Sequence, residues 1–180
     1  MVSLLPRILA MAEENEATNR PMYLFVDEAH LQLEIDVLVA YFTLIAKVAR
    51  KLNLWLVIIT QNVSDLSSEK AKKILSLCET WIILSLSEVE LQNIKTFKPI
   101  TFEQESLIRS LRTEKGAYSE AMLINTHYQG VFRVIPPREL LALLLNNADE
   151  KKLRKQLEEE HGYDKGIEIM AQRLYENSDD

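Results

Sequence analysis

Two unbroken apolar runs of strand length, Met22-Tyr23-Leu24-Phe25-Val26 and Leu54-Trp55-Leu56-Val57-Ile58-Ile59, restrict what this chain can fold into more than any other feature. Neither run alternates apolar with polar residues, so each reads as a strand covered on both faces, as in a parallel sheet between layers of helix. The residues between them supply such a helix. From Glu34 to Leu52 the positions Val37, Tyr41, Leu44, Ile45, Val48 and Leu52 recur at helical spacing, while Lys47, Arg50 and Lys51 gather at the C-terminal end, where cations suit the helix dipole. A strand, helix and strand in one sheet form a right-handed parallel crossover, which brings the C-terminal ends of both strands to the same edge. Ligands of open α/β sheets bind at that edge.

What the two runs deliver there is polar. The first ends in Asp27-Glu28-Ala29-His30 and the second in Thr60-Gln61-Asn62, so Asp27, Glu28 and Gln61 converge on one crevice. A buried strand carrying Asp-Glu to the tip of a sheet resembles a Walker B motif. In that chemistry the first acid helps hold Mg²⁺ and a following Glu orients or deprotonates the attacking water. The companion motif, a Gly-rich loop ending in Gly-Lys-Ser/Thr that cradles the phosphates, occurs nowhere in the sequence. An acid pair can also do no more than follow a strand, but its place opposite Gln61 favours the catalytic reading. His30 reads as a partly exposed loop histidine.

Elsewhere the order of elements continues the α/β theme and then changes. Met1 to Ala12 reads as an amphipathic helix, broken from the first strand by Thr18-Asn19-Arg20-Pro21. Ser67 or Ser68 can cap a helix through about Ser76, and Thr80 to Leu84 is expected as a third parallel strand of the same sheet. Short helices follow at Glu88 to Ile94 and Phe102 to Leu111, the second opened by a Thr101/Gln104 capping box. Ala117 to Asn125 and Val131 to Ile135 read as an antiparallel hairpin around Tyr128-Gln129-Gly130. Pro137 can start a helix carrying Leu140, Leu141, Leu144 and Leu145. Beyond Asn147 the composition shifts to dense mixed charge, which predicts two surface helices, Asp149 to Glu160 and Asp164 to Tyr175, separated at His161-Gly162. The expected division is an α/β portion over residues 1–146 and a helical tail over 147–180.

Composition narrows the function. With 180 residues, 47% of them hydrophobic, the chain can bury one substantial core. A formal net charge of -6 is a poor match to a polyanion, so direct nucleic-acid binding is not expected. The single cysteine, Cys78, cannot form an internal disulfide and reads as a small buried hydrophobe. Together with the lack of zinc-type spacing, this fits a reducing cytosolic compartment, where metal arrives only with nucleotide. The longest apolar runs are too short to span a bilayer, and the first residues are unlike a secretory signal.

Val26-Asp27-Glu28-Ala29-His30, then Ile59-Thr60-Gln61-Asn62 with Ser64-Asp65, followed by Trp81-Ile82-Ile83-Leu84 and Val131-Phe132-Arg133-Val134, together resemble the C-terminal part of conjugative-transfer ATPases of type IV secretion systems, the TraC and VirB-type family. Gly162 and Gly166-Ile167-Glu168-Ile169-Met170-Ala171 are similar to the closing helices of that family. The resemblance implies a partial RecA-like P-loop NTPase fold of α/β class. It also implies a motor that uses ATP and Mg²⁺ as a hexamer, with its own other subunits and secretion components as partners, at the cytoplasmic face of the inner membrane. Asp27 would then assist Mg²⁺, Glu28 would be the base, and Gln61 would contact the γ-phosphate or the attacking water. Asn62, Ser64 and Asp65 would line the nucleotide edge or make an Asx-type turn. Arg109, Arg112 and Arg133 are candidates for an arginine finger or for solvated surface positions.

Because the phosphate loop of such proteins lies far upstream, the chain is expected to be a C-terminal piece or the product of a shortened gene. Alone it would neither hydrolyse ATP nor hold it tightly. Two other readings are a DNA-translocating motor of the FtsK or HerA kind and a non-catalytic module that docks on a secretion ATPase.

Overall fold

A computed structural model describes residues 4–66 and 68–176, without the side chains of Leu5, Ser64, Asp65, Lys70 and residues 174–176. These residues form two compact units. The first takes the chain up to Trp81 together with Leu86–Ser106 and Ile124–Tyr128, and the second takes Ile82–Ser85, Leu107–Leu123 and the chain from Gln129 onward.

In the first unit, α1 (Leu4–Ala17) precedes β1 (Met22–Val26). Pro6 falls in the first turn of α1, where a missing N–H costs nothing. The crossover is built from a short helix α2 (Ala29–Leu33), then α3 (Asp36–Val48) and a 3₁₀ turn over Ala49–Leu52, in place of the single helix expected from Glu34. Asn53, at φ 50°, reverses the chain into β2 (Leu54–Ile58). β1 and β2 run parallel with Met22 opposite Leu54, Leu24 opposite Leu56 and Val26 opposite Ile58. Those six residues face the core, where they meet Leu38, Val39, Phe42 and Ile45 of α3 and Ile8 and Ala12 of α1. The alternate residues Tyr23, Phe25 and Trp55 point the other way and are exposed, so the expectation that both strands are covered on both faces is not met within this chain.

The connection to the next strand runs through a 3₁₀ turn (Val63–Leu66) and α4 (Glu69–Leu75), whose Ser68 N-cap accepts from the amide of Ala71 at 3.1 Å. Ser67, the alternative cap, lies outside the described residues. β3 (Trp81–Leu84) forms where the apolar run predicts it. Its partner differs, because β3 pairs with β5 of the hairpin sheet and is no third member of the β1–β2 sheet. An apolar run marks a strand but carries no label for its neighbour, and the burial expected of this one is met on one face only, with Ile83 buried while Ile82 and Leu84 are exposed. α5 (Glu88–Ile94) and α6 (Phe102–Ser110) match their expected spans. The capping box at α6 is reciprocal, with Thr101 N donating to Gln104 Oε1 at 3.0 Å and Gln104 N to Thr101 Oγ1 at 3.2 Å.

The second unit centres on β4 (Thr113–Glu114), β5 (Tyr118–Ile124) and β6 (Gln129–Val134). The hairpin turn sits earlier than Gly130 suggests. Asn125 makes it, its side-chain oxygen accepting from the amides of His127 at 2.8 Å and Tyr128 at 2.6 Å, so that Gln129 and Gly130 belong to the strand. On β5, the Glu120 carboxylate accepts from Arg133 Nε at 3.2 Å and Nη2 at 2.7 Å, and from the backbone N–H of Arg112 at 3.0 Å. The Arg133 hydrogen bonds foremost, then the Arg112 amide, hold the Glu120 carboxyl below its ordinary range. A depressed carboxyl stabilises the fold above its unfolded pKa, and this contribution fades only as pH falls through the lowered folded value. A carboxyl-detected NMR titration is therefore expected to place Glu120 below a free glutamate, and Arg133→Ala to return it upward. An unshifted Glu120 would contradict the pairing.

After α7 (Arg138–Leu144), the helices α8 (Ala148–His161) and α9 (Tyr163–Glu176) meet at Gly162, which takes φ 83°. They are less superficial than their charge predicts, since Leu157, Ile167, Met170 and Ala171 enclose a small core with Ala142 of α7. Arg154 Nη1 ties the end of α7 to α8 by donating to the carbonyls of Leu143 at 2.7 Å and Ala142 at 3.3 Å. Gly166 sets the spacing of the final pair. A Cβ there would lie 2.8 Å from the Glu158 amide nitrogen and 2.9 Å from the carbonyl carbon of Leu157. Backbone cannot swing aside, so Gly166→Ala is expected to cost about 1–3 kcal/mol by overpacking, more than the ~1 kcal/mol alanine returns as the better helix former. Urea denaturation followed by helical circular dichroism measures the difference, and a stabilised variant would refute the close approach.

Candidate functional site

The acid pair is placed by the backbone of the neighbouring strand. Ile59, just beyond β2, donates its N–H to the Val26 carbonyl at 2.9 Å and accepts at its own carbonyl from the Ala29 amide at 3.0 Å. These two bonds straddle Asp27 and Glu28 and clamp them in a sharp turn. Glu28 takes φ 48° and ψ 48°, a left-handed conformation that disfavours a glutamate by roughly 1–2 kcal/mol. Strain of this kind persists only where surrounding bonds fix it, and it concentrates at functional positions.

The turn aims the two carboxylates differently. Asp27 is exposed, and its Oδ1 accepts from the Glu28 amide at 2.9 Å. Glu28 turns toward β2, where its Oε1 accepts from Gln61 Nε2 at 2.5 Å. Its other oxygen, Oε2, lies 3.5 Å from His30 Nδ1. That nitrogen is buried and makes no hydrogen bond among the described residues, although the imidazole as a whole is partly exposed. The convergence predicted for Glu28 and Gln61 is thus a direct contact, with Asp27 beside it. Asn62 is exposed on the same loop, and its carbonyl accepts from Thr60 Oγ1 at 3.1 Å. The side chains of Ser64 and Asp65 lie outside the described residues.

Two further residues join this edge. His30, which the sequence reads as a loop histidine, lies in α2 and flanks Glu28 as described. Glu90 of α5 reaches across to the loop after Gln61, its Oε2 accepting from the Val63 amide at 2.9 Å and its Oε1 from Asn93 Nδ2 at 3.1 Å. Ser87-Glu88-Val89-Glu90 has capping-box spacing, and Ser87 does cap the Glu90 amide at 3.2 Å. The pattern signals a helix start, and only the fold shows Glu90 anchoring a distant loop.

The arginine candidates belong to a different setting. Arg133 is paired with Glu120, and its guanidinium carbon stands 3.8 Å from the centroid of the Tyr118 ring. Arg112 donates its backbone N–H to the same Glu120 and is exposed, while Arg109 lies on α6. The fold gathers Arg112 and Arg133 around Glu120 in the second unit, and Asp27, Glu28 and Gln61 in the first. Cys78 is half-buried rather than fully enclosed, and desolvation pushes its thiol pKa up, with Lys98 opposing, so it has little thiolate character.

Chemically, the edge offers one exposed hard oxygen donor and one oriented carboxylate hydrogen-bonded to an amide that can both donate and accept. Mg²⁺ is commonly held through one or two carboxylates, with phosphate and water completing its shell, so Asp27 suits it without a larger cluster. Among the described residues no group of three or more His, Cys, Asp or Glu could hold a metal by itself. Likewise no helix among them is long and apolar enough to cross a membrane.

The fold is mixed α/β, as expected from the sequence, with a parallel sheet, an antiparallel hairpin sheet and C-terminal helices. Among solved structures it is similar to that of VirB4 of Thermoanaerobacter pseudethanolicus, with 21% sequence identity and a TM-score of 0.53 over 74% of this chain. The chain spans 37% of that VirB4 chain. No family model matches the chain, and no curated protein matches it.

Proposed function

We propose that this chain is the C-terminal part of the motor domain of a type IV secretion ATPase of the TraC and VirB-type family, whose intact form hydrolyses ATP to power channel assembly or substrate transfer. The observation that carries this reading is the 2.5 Å bond between Glu28 and Gln61 across two parallel strand tips, on a fold similar to part of VirB4. Glu28 acts as the base for the attacking water, and Gln61, hydrogen-bonded to that carboxylate, orients it and offers an amide oxygen to the same water. Asp27 holds Mg²⁺, which when bound with ATP neutralises charge on the transferring phosphate. Asn62 borders the nucleotide. Arg112 or Arg133 serves as a finger toward a neighbouring subunit of a hexamer at the cytoplasmic face of the inner membrane, where secretion components are the further partners.

The chain supplies the metal and water side of such a site but no Gly-Lys-Ser/Thr loop for the phosphates. ATP hydrolysis by the 180-residue chain is therefore expected to be at background, and that of a version extended by the residues encoded in frame upstream to be robust. Equal turnover by both, or none by an extension that contains a phosphate loop, would overturn the assignment. The net charge of -6 speaks against a DNA-pumping motor, since polyanion binding draws its affinity from clustered Lys and Arg.

A further inference from the structure

The Glu28 carboxylate is hydrogen-bonded at one oxygen and only approached at the other. Gln61 Nε2 donates to Oε1 at 2.5 Å, whereas Oε2 lies 3.5 Å from His30 Nδ1, beyond the roughly 2.7–2.9 Å of a charge-assisted bond. That nitrogen is shut off from solvent, although the ring is 26% exposed, and it makes no hydrogen bond among the described residues. A buried ring nitrogen without a partner has given up water and gained nothing in return, so Glu28 Oε2 is the partner its position calls for. The backbone presets the encounter. Side chains two positions apart do not face each other along a helix, and Glu28 escapes that rule by standing at the N-cap of α2 with left-handed φ and ψ. His30 follows Ala29, which is fully buried and whose amide is tied to the Ile59 carbonyl. It precedes Leu31, whose amide donates to the Glu28 carbonyl at 3.0 Å. The imidazole thus sits on an anchored stretch, and a small rotation of the carboxylate closes the gap. Catalytic hydrogen bonds are often long in a site without substrate and tighten when it is filled.

We infer that His30 is a positioning residue for Glu28, donating Nδ1–H to Oε2 while Gln61 donates to Oε1, so that the carboxylate is gripped at both oxygens and presents one fixed plane to the attacking water. The inference deepens the motor-domain reading above and rests on it for the reaction. It also fixes the tautomer. An unprotonated Nδ1 would set its lone pair against a carboxylate oxygen, so the proton of the neutral ring belongs on Nδ1 and leaves Nε2 bare. Two donors occupy one lone pair on each oxygen and leave the others to take the proton of the water. A metal-ligand role fits His30 less well, because Mg²⁺ takes oxygen donors.

Two-bond ¹H–¹⁵N spectra of the imidazoles in the labelled 180-residue chain, taken above the ordinary titration range of histidine, test the pairing itself. The His30 signals, identified as those missing from His30→Asn, are expected to show the Nδ1–H tautomer, which a free imidazole disfavours. Glu28→Gly, a change that suits the left-handed backbone, is expected to return them to Nε2–H. An Nε2–H tautomer in the parent chain, or an Nδ1–H tautomer that survives Glu28→Gly, overturns the inference. The kinetic arm uses the upstream-extended protein. His30→Leu is expected to lower kcat by about 10- to 100-fold, the scale of misplacing a reacting group by up to an ångström, with KM for ATP little changed. His30→Asn, whose amide N–H can stand where Nδ1–H does, is expected to recover most of that loss. Equal losses in both variants, or an effect on KM alone, would reduce His30 to a packing group and overturn the inference. The Nδ1–H signature without ATP turnover would uphold the grip on Glu28 and sink the motor reading. Turnover that falls with Glu28→Gln but ignores His30→Leu would do the reverse.

Discussion

Ile45→Ala is expected to destabilise the first unit by about 2–5 kcal/mol, the range for truncating a fully buried aliphatic side chain. Ile45 has no exposed surface and sits on the face of α3 that packs against the β1–β2 sheet, in the cluster with Leu38, Val39, Phe42, Leu54 and Ile74. Truncation removes the transfer free energy of three carbons and leaves a cavity that helix and sheet, joined by short turns, cannot close. Measured against a typical total of 5–15 kcal/mol, this is a large share of the stability. The preceding residue supplies the control. Leu44 is 45% exposed, so Leu44→Ala should fall nearer the ±0.5 kcal/mol of surface substitutions. Urea denaturation followed by fluorescence of Trp55 and Trp81, both in the first unit, reports the difference. Equal effects for Ile45 and Leu44 would mean that α3 presents a different face to the sheet.

Glu28→Gln, introduced into the upstream-extended protein, is expected to lower kcat by about 10²–10⁴-fold, the usual contribution of a positioned general base. The replacement keeps shape and hydrogen-bonding capacity but cannot take the proton of the attacking water. Nucleotide binding should survive, because Glu28 is expected to meet the water, while Asp27 meets the metal. Gln61→Ala should reduce turnover as well, and the double variant should fall short of the product of the single effects. Residues that handle one water act as a unit and are non-additive. A swap of the exposed Glu34 to Gln should leave turnover in place. Multiplicative effects of Glu28 and Gln61 would separate two groups that the structure joins at 2.5 Å.

Much of this arrangement was legible in the sequence because its signals are local. The apolar runs at Met22 and Leu54, the Thr101/Gln104 capping box and the left-handed stop at Gly162 each act within a few residues, and each element forms where expected. What the sequence could not convey depends on partners. The run at Trp81 names a strand but not the hairpin it joins, and Gly130 outbid Asn125 as a turn signal because a side-chain-built turn needs no glycine. The apolar character of Tyr23, Phe25 and Trp55 called for a cover that these residues do not meet in this chain. At the candidate site, parallel topology was enough to bring Glu28 and Gln61 to one edge. The left-handed backbone of Glu28 and the reach of Glu90 follow from tertiary bonds between residues up to 33 positions apart, which no local pattern encodes.

One measurement bears most directly on the identity of this sheet edge: ATP turnover at saturating Mg-ATP by the upstream-extended protein and by its Glu28→Gln variant, with nucleotide binding followed in the same samples. Turnover should be lost while binding is retained. Unchanged turnover would remove Glu28 as the base, and with it the reading of Asp27, Glu28 and Gln61 as the hydrolytic edge of a secretion motor.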